Sequence, residues 1–279
     1  MKKIKISTIV LILIFLVGLS LLLYPTVSDY WNSLHQSQAI VEYSRRVEEM
    51  DGELYEKLWN EAIEYNRVLA DRSDRFEMTR ADRQEYESLL NVSGNGIMGY
   101  IEVPAINCSL PIYHGTNEAV LQTSIGHLEG SSLPTGGAGT HCVVSGHRGL
   151  PSARLFTDLD KLTEGDIFIL KVLDQTLTYE VDQILTVDPY DLSALAIDPQ
   201  QDYCTLVTCT PYGINTHRLL VRGHRVENRT QTQDITEARD ISQVNPVLIL
   251  SLAAGVIIIL IIILLVRARR KNRRNIEKN

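Results

Sequence analysis

The sequence predicts a mainly β domain, closed or nearly closed, set behind a helical region and flanked by two membrane-spanning segments. Three observations predict it. Between Gly96 and Val226, short β-branched or aromatic stretches alternate with turn residues. Ahead of them, apolar residues recur at the helical period. Near each end of the chain lies a long run without a charge.

The runs come first because they divide the chain. Residues 6–28 are 23 consecutive uncharged residues, and residues 241–266 are 26. About 20 apolar residues span a hydrocarbon core. Lys2, Lys3 and Lys5 precede the first run, and seven Lys and Arg residues follow the second. By the positive-inside rule both tips face the cytoplasm and the middle faces outward. Residues 1–28 therefore read as an anchor or a signal peptide. No small-x-small site follows Leu23, where Tyr24-Pro25-Thr26-Val27 stands, which favours an uncleaved anchor. Residues 244–266 read as a C-terminal transmembrane helix, 229–243 as a polar tether and 267–279 as a basic cytoplasmic tail. The part between the spans holds 17 Lys and Arg against 33 Asp and Glu, a formal −16. That charge repels phosphate, so the basic tail reads as a stop-transfer flank and nucleic acid is not a partner.

Residues 29–95 form the helical region. Ile40, Tyr43, Val47, Met50, Leu54, Leu58, Ala62 and Leu69 lie close to one helical stripe and predict an amphipathic helix packed on the main domain. Residues 70–86 change texture: Asp71-Arg72-Ser73-Asp74-Arg75-Phe76 is charged, with one aromatic, and reads as a loop.

Residues 96–228 are the β domain. Strands are predicted at 97–103, 140–144, 166–172, 177–185, 203–208 and 219–223. Pro104, Gly136-Gly137, Gly149-Leu150-Pro151, Glu164-Gly165-Asp166 and Pro211-Tyr212-Gly213 punctuate them. Short strands at that spacing suit a closed sheet of about 130 residues.

All four Cys and all seven His lie between the spans. No Cys-x-x-Cys or His-x-x-x-His pair appears, so no zinc site is expected. Gly136-Gly137-Ala138-Gly139 lacks the Lys-Ser/Thr of a phosphate loop, and no nucleotide or other cofactor is implied. Cys204 and Cys209 are five apart on one predicted strand and face opposite sides, a poor disulfide pair. Cys209 ends an apolar strand and stands beside a turn, where a side chain is held yet accessible. A hairpin can bring Arg218 back beside it, and His147 ends another strand before a turn. A thiol nucleophile needs a base or cation, and a tetrahedral oxyanion needs a fixed donor. Cys209, His147 and Arg218 can supply all three. On pattern alone, a buried structural Cys and a satisfied His are the commoner reading.

Six stretches bear on the choice: 205–213 (Thr-Leu-Val-Thr-Cys-Thr-Pro-Tyr-Gly) with 215–223, then 99–104, 111–116, 125–134, 140–153 and 155–162. Together they resemble the sortase family in its class C, pilus-building form, over about residues 40–226. The resemblance implies an eight-stranded sortase β-barrel with helical additions and a catalytic Cys209, His147 and Arg218. It implies an LPXTG-like sorting motif on pilin or surface proteins as substrate, cleaved between Thr and Gly through a thioacyl-enzyme. In the pilus class a pilin lysine amine resolves that intermediate, and in anchoring sortases a cell-wall precursor amine does. An idle sortase-like assembly factor is a further alternative.

The second span and the 70–86 loop favour the pilus class. That class carries a lid there, with an Asp, a Pro or small residue, and an aromatic. Asp74-Arg75-Phe76 matches except at Arg75, and the resemblance implies that Asp74 pairs with Arg218 while Phe76 covers Cys209. His141 and His217 flank the site as structural or substrate-lining residues. Thr208 serves either the oxyanion or the strand, and Arg222 and Arg225 serve packing. Cys142 precedes His147 by five residues, as Cys204 precedes Cys209. In sortase barrels these two strands run parallel, which makes Cys142 and Cys204 neighbours on one face, expected as free thiols rather than a disulfide.

Overall fold

The computed structural model describes residues 6–228 and Ile257. The expected tether, the basic tail and all of the second span except Ile257 lie outside the described residues. Among the described residues, one helix is long and apolar enough to cross a membrane.

That helix, α1 (Ile6–Glu48), carries the aliphatic run and the start of the amphipathic stretch without interruption. The amphipathic helix expected through Leu69 is instead broken at Met50-Asp51. There Asp51 takes an extended backbone, and α2 (Gly52–Ala70) begins after it. The apolar stripe survives the break, because Ala62 and Leu69 are buried while Val47, Met50, Leu58 and Trp59 pack on the core. Asn66 of α2 is buried as well and clamps the barrel: its Nδ2 donates to the Leu133 carbonyl at 2.9 Å, and its Oδ1 accepts from the Leu133 N–H at 2.7 Å.

The loop expected over 70–86 is a loop only to Met78. Thr79 and Asp82 form a capping box that starts α3 (Arg80–Ser88), each side chain accepting from the other's backbone N–H.

Eight strands follow: β1 (Ile97–Val103), β2 (Cys108–His114), β3 (Ile125–His127), β4 (Thr140–Gly146), β5 (Ile167–Val172), β6 (Gln175–Val187), β7 (Asp202–Thr210) and β8 (His217–Val226). They close into a barrel in the order β1-β2-β3-β4-β7-β8-β6-β5. The pairs β2–β3 and β4–β7 are parallel, and the rest are antiparallel. Ile101, Ile112, Ile125, Val144, Leu206 and Val221 fill the interior beside the stacked rings of Phe168 and Tyr179. β3 passes so close to the chain after β2 that a Cβ on Gly126 would lie 2.0 Å from the Gly115 carbonyl oxygen. Cys142 and Cys204 are direct register partners across β4–β7, both buried and both free thiols.

Candidate active site

Alternation along the strands decides which side chains reach the surface. On β7, Cys204, Leu206 and Thr208 are buried inward, whereas Val207 and Cys209 are half-buried and point outward. On β8, Leu219 and Val221 point inward, and Arg218 points outward. The β7–β8 register sets Cys209 directly opposite Arg218. On the other side of β7, the parallel pairing ends at Ser145 opposite Val207. Two residues further along stand His147, just past the end of β4, and Cys209 near the end of β7. Cys209 and Arg218 therefore lie side by side on the outer face at one end of the barrel, and His147, the first residue past β4, follows in the same row when the β4–β7 register is continued. Strands are spaced about 4.8 Å apart, so the row spans roughly 10 Å of backbone.

The ends of this row are tied down. The Thr208 hydroxyl donates to the Gly146 carbonyl at 2.8 Å from inside the barrel, joining β7 to the end of β4 next to His147. The hydroxyl expected as a possible oxyanion donor is thus committed to positioning. The Phe156 N–H donates to the His147 carbonyl at 3.1 Å. Arg148, next in sequence, is 9% exposed, ion-paired with Asp160, and lies 5.7 Å from the centre of the Tyr212 ring. Arg218 donates to the backbone carbonyl of His217 at 3.1 Å.

A sortase domain model matches residues 101–226. The crystal structure of sortase C1 from Streptococcus agalactiae is 58% identical, covers 69% of this chain and 100% of its own, and superposes with a TM-score of 0.67. The chain belongs to the sortase family. Sortase C of Streptococcus pneumoniae is 46% identical, with a TM-score of 0.60 over 68% of this chain and 97% of its own. The Bacillus subtilis sortase D is 31% identical over 131 residues, 46% of this chain, and the match spans 63% of its length. The structural likeness is thus to class C sortases, and the family is one of cysteine transpeptidases.

In this sortase the 71–78 segment lies over the outer face beside the row. Phe76 packs against the cluster of Val143, Leu195 and Leu220, with Val207 and Val187 at its edge. Leu220 is opposite Val207, one same-face step from the Cys209–Arg218 pair. Asp74 does not pair with Arg218; it pairs at 3.2 Å with Arg72, the nearer cation in its own turn. Arg75, the departure from the class pattern, anchors the segment. It is buried, donates to the carbonyls of Gly130 and Leu195 at 2.7 Å each, and covers the Phe76 ring at 4.2 Å. Gly130 is needed beneath it, since a Cβ there would meet the Arg75 carbonyl oxygen at 2.4 Å.

The flanking histidines separate. His217 begins β8 opposite Thr210, half-exposed, with Nδ1 2.9 Å from the Thr216 hydroxyl. His141 lies six residues before His147, about 20 Å along the strand. It is buried, its Nδ1 donates to the Ala196 carbonyl at 2.9 Å, and its Nε2 accepts from the Thr205 hydroxyl at 2.7 Å. It lies away from the row and supports the 193–196 segment under Arg75. Arg222 packs as expected, holding Asp182 through two bonds of 3.0 and 2.9 Å, and Arg225 caps the Thr176 and Thr178 carbonyls.

Burial pulls His141 down to about 4. An unfolded histidine titrates near 6.5. The folded chain therefore binds fewer protons between these values, so the contribution is complete above pH 6.5 and is lost as pH falls toward 4. Thermal unfolding is expected to show a loss of about 2 kcal/mol by pH 5 from this group. A His141→Gln variant, less stable at pH 7, is expected to lack that part of the acid slope; an unchanged slope would show that His141 is protonated in the fold.

Two features of this sortase escaped the sequence reading. Arg75 was visible only as a mismatch, and no local signal marks its distant carbonyl partners. Arg148 directly follows His147, and its burial depends on Asp160 and the β7–β8 loop closing over it.

Proposed function

We propose that this chain is a membrane-anchored cysteine transpeptidase of the pilus-building class. The observation that carries the reading is the row His147–Cys209–Arg218, presented outward at one end of the barrel. The Cys209 thiolate attacks the Thr carbonyl carbon of an LPXTG-like motif. The tetrahedral oxyanion forms beside the Arg218 guanidinium, a fixed cationic donor. His147 gives a proton to the departing Gly amine, the C–N bond breaks, and a thioester remains on Cys209. A neutral pilin lysine amine then attacks the thioester and gives a proton to His147, so that the C–S bond breaks, an isopeptide bond forms, and the thiolate and the protonated His147 return. The sortase C of Streptococcus pneumoniae is described in connection with pilin substrate specificity, which supports the pilin as the acceptor protein. α1 supplies the anchor, its aliphatic first half matching the thickness of a bilayer core.

In this reading the 71–78 segment is a lid. Phe76 fills the apolar trough that runs up to Cys209, and a substrate side chain needs the same space. Phe76→Ala is expected to speed modification of Cys209 by a thiol reagent several-fold, followed by intact-mass spectrometry. An unchanged rate would remove the lid assignment and leave the row intact.

The deciding experiment incubates the full chain in detergent or nanodiscs with an LPXTG-type peptide and a pilin bearing its lysine. A thioacyl adduct that resolves onto the pilin lysine supports the proposal. Resolution only onto a wall-type amine supports an anchoring sortase. Absence of any adduct, even with Phe76→Ala, supports an idle assembly factor.

A further inference from the structure

The bonds between α1 and the barrel determine which end of the barrel faces the aliphatic half of the helix. Asp29 Oδ1 accepts from the Arg154 backbone N–H at 2.7 Å, and Asn32 Nδ2 donates to the Ser152 carbonyl at 2.7 Å. Further along, Gln36 donates to the Thr123 carbonyl at 2.6 Å. The Tyr43 hydroxyl then bridges the Met98 carbonyl at 3.0 Å and the Leu173 N–H at 2.7 Å. Ser152 and Arg154 follow β4 at the end that carries His147. Met98 and Leu173 belong to the opposite end, where β1 begins and β5 turns into β6. The helix therefore meets the active-site end first, one residue past its uncharged run. It reaches the far end only 14 residues later, about 21 Å along its axis.

The same end displays large apolar side chains on two loops. Tyr212 and Ile214, between β7 and β8, are 59% and 68% exposed, and Tyr190, after β6, is 95% exposed. Single exposed apolar residues are ordinary. These three are gathered at one end, because β6 ends at Val187 opposite Arg218 and β7 ends at Thr210 opposite His217. Their position relative to α1 is also fixed. The Tyr212 ring rests on Gly149, 3.0 Å from where a Cβ would stand, so the β7–β8 loop leans on the segment that α1 holds at Ser152 and Arg154.

We propose that this rim of the barrel sits in the lipid headgroup layer of the membrane that α1 enters, with Tyr190, Tyr212 and Ile214 as its lipid contacts. The proposal rests on the anchor reading of α1. The headgroup layer is about 6 Å deep on each side of the hydrocarbon core, and Asp29 marks where that layer begins along the helix. Tyrosine suits it, with an apolar ring and a wet hydroxyl. Cys209, three residues from Tyr212, then works at the lipid surface rather than out in the medium.

The test places a nitroxide on the full chain in phosphatidylcholine nanodiscs doped with a nickel-chelating headgroup lipid. Cys209→Ala and Cys108→Ala leave only the buried Cys142 and Cys204 as native thiols. Labels go in through Ile214→Cys, Tyr190→Cys, Gln200→Cys at the far end, and Val17→Cys in the aliphatic half of α1. The expected result is several-fold greater relaxation by headgroup nickel at positions 214 and 190 than at 200, with position 17 reached by oxygen and not by nickel. Relaxation at 214 and 190 no greater than at 200, with position 17 in hydrocarbon, would overturn the proposal and leave the rim free for a protein partner. Position 17 outside the hydrocarbon would overturn the anchor reading and this proposal together.

Discussion

Cys209→Ala is expected to leave the barrel folded and to abolish thioacyl formation completely. Intact-mass spectrometry shows the second effect and thermal unfolding the first. The Cys209 side chain is half-buried on the outer face, so removing its sulfur opens no interior cavity. The companion variant is Arg218→Lys. Lysine keeps the charge but loses the planar fork that can hold a backbone carbonyl and an oxyanion at once. Loss of one fixed oxyanion donor costs about 10²–10³ in rate, and Arg218→Lys is expected to fall in that range for acylation. A variant with wild-type acylation would move the oxyanion elsewhere in the site and leave Cys209 as nucleophile without Arg218 as donor.

The largest stability effect is expected from Gly126→Ala. A methyl group there would stand 2.0 Å from the Gly115 carbonyl oxygen and 3.0 Å from its carbon. Both obstacles are backbone, and the pairing of Tyr113 with Gly126 holds β2 and β3 together at that point. No side chain can swing aside, so the sheet must part. Overpacking of this kind costs about 3 kcal/mol, which corresponds to a fall in Tm of roughly 6–12 °C for a domain of this size. Gly52→Ala, with open space around it, is the control and is expected to shift Tm little. Equal Tm values for the two variants would show that β3 is free to move away from Gly115.

The pairing of Cys209 with Arg218 was legible because the two strands are joined by a loop of only six residues around Pro211-Tyr212-Gly213, which returns the chain as an antiparallel hairpin. The place of His147 was not. It depends on a parallel pairing between segments some 60 residues apart, which no local pattern reports, and only the family resemblance supplied it. On residues alone, an ordinary buried thiol and an ordinary histidine stayed the commoner reading of Cys209 and His147. β2 and β3 were missed because one holds Pro111 in its middle and the other is three residues long. The Thr79-x-x-Asp82 capping box was present in the sequence, and the charged texture around it hid the start of α3. Asp74 illustrates a different limit: a motif match transfers a residue type, whereas its partner is set by whichever cation the local turn brings nearest, here Arg72.

The parallel seam between β4 and β7 also governs when the enzyme can exist as an enzyme. Its two strands are separated in sequence by the whole β5–β6 hairpin and the segments on either side. Closing so long a loop is entropically costly, and contacts of such high order form slowly compared with local helices and hairpins. Cys209 and Arg218 can meet within their own hairpin, but His147 joins them only when that distant seam zips. In the proposed mechanism, a chain whose seam has not closed therefore carries a thiol without its proton donor. By the same proposal, acyl-transfer competence arrives in one step with closure of the barrel.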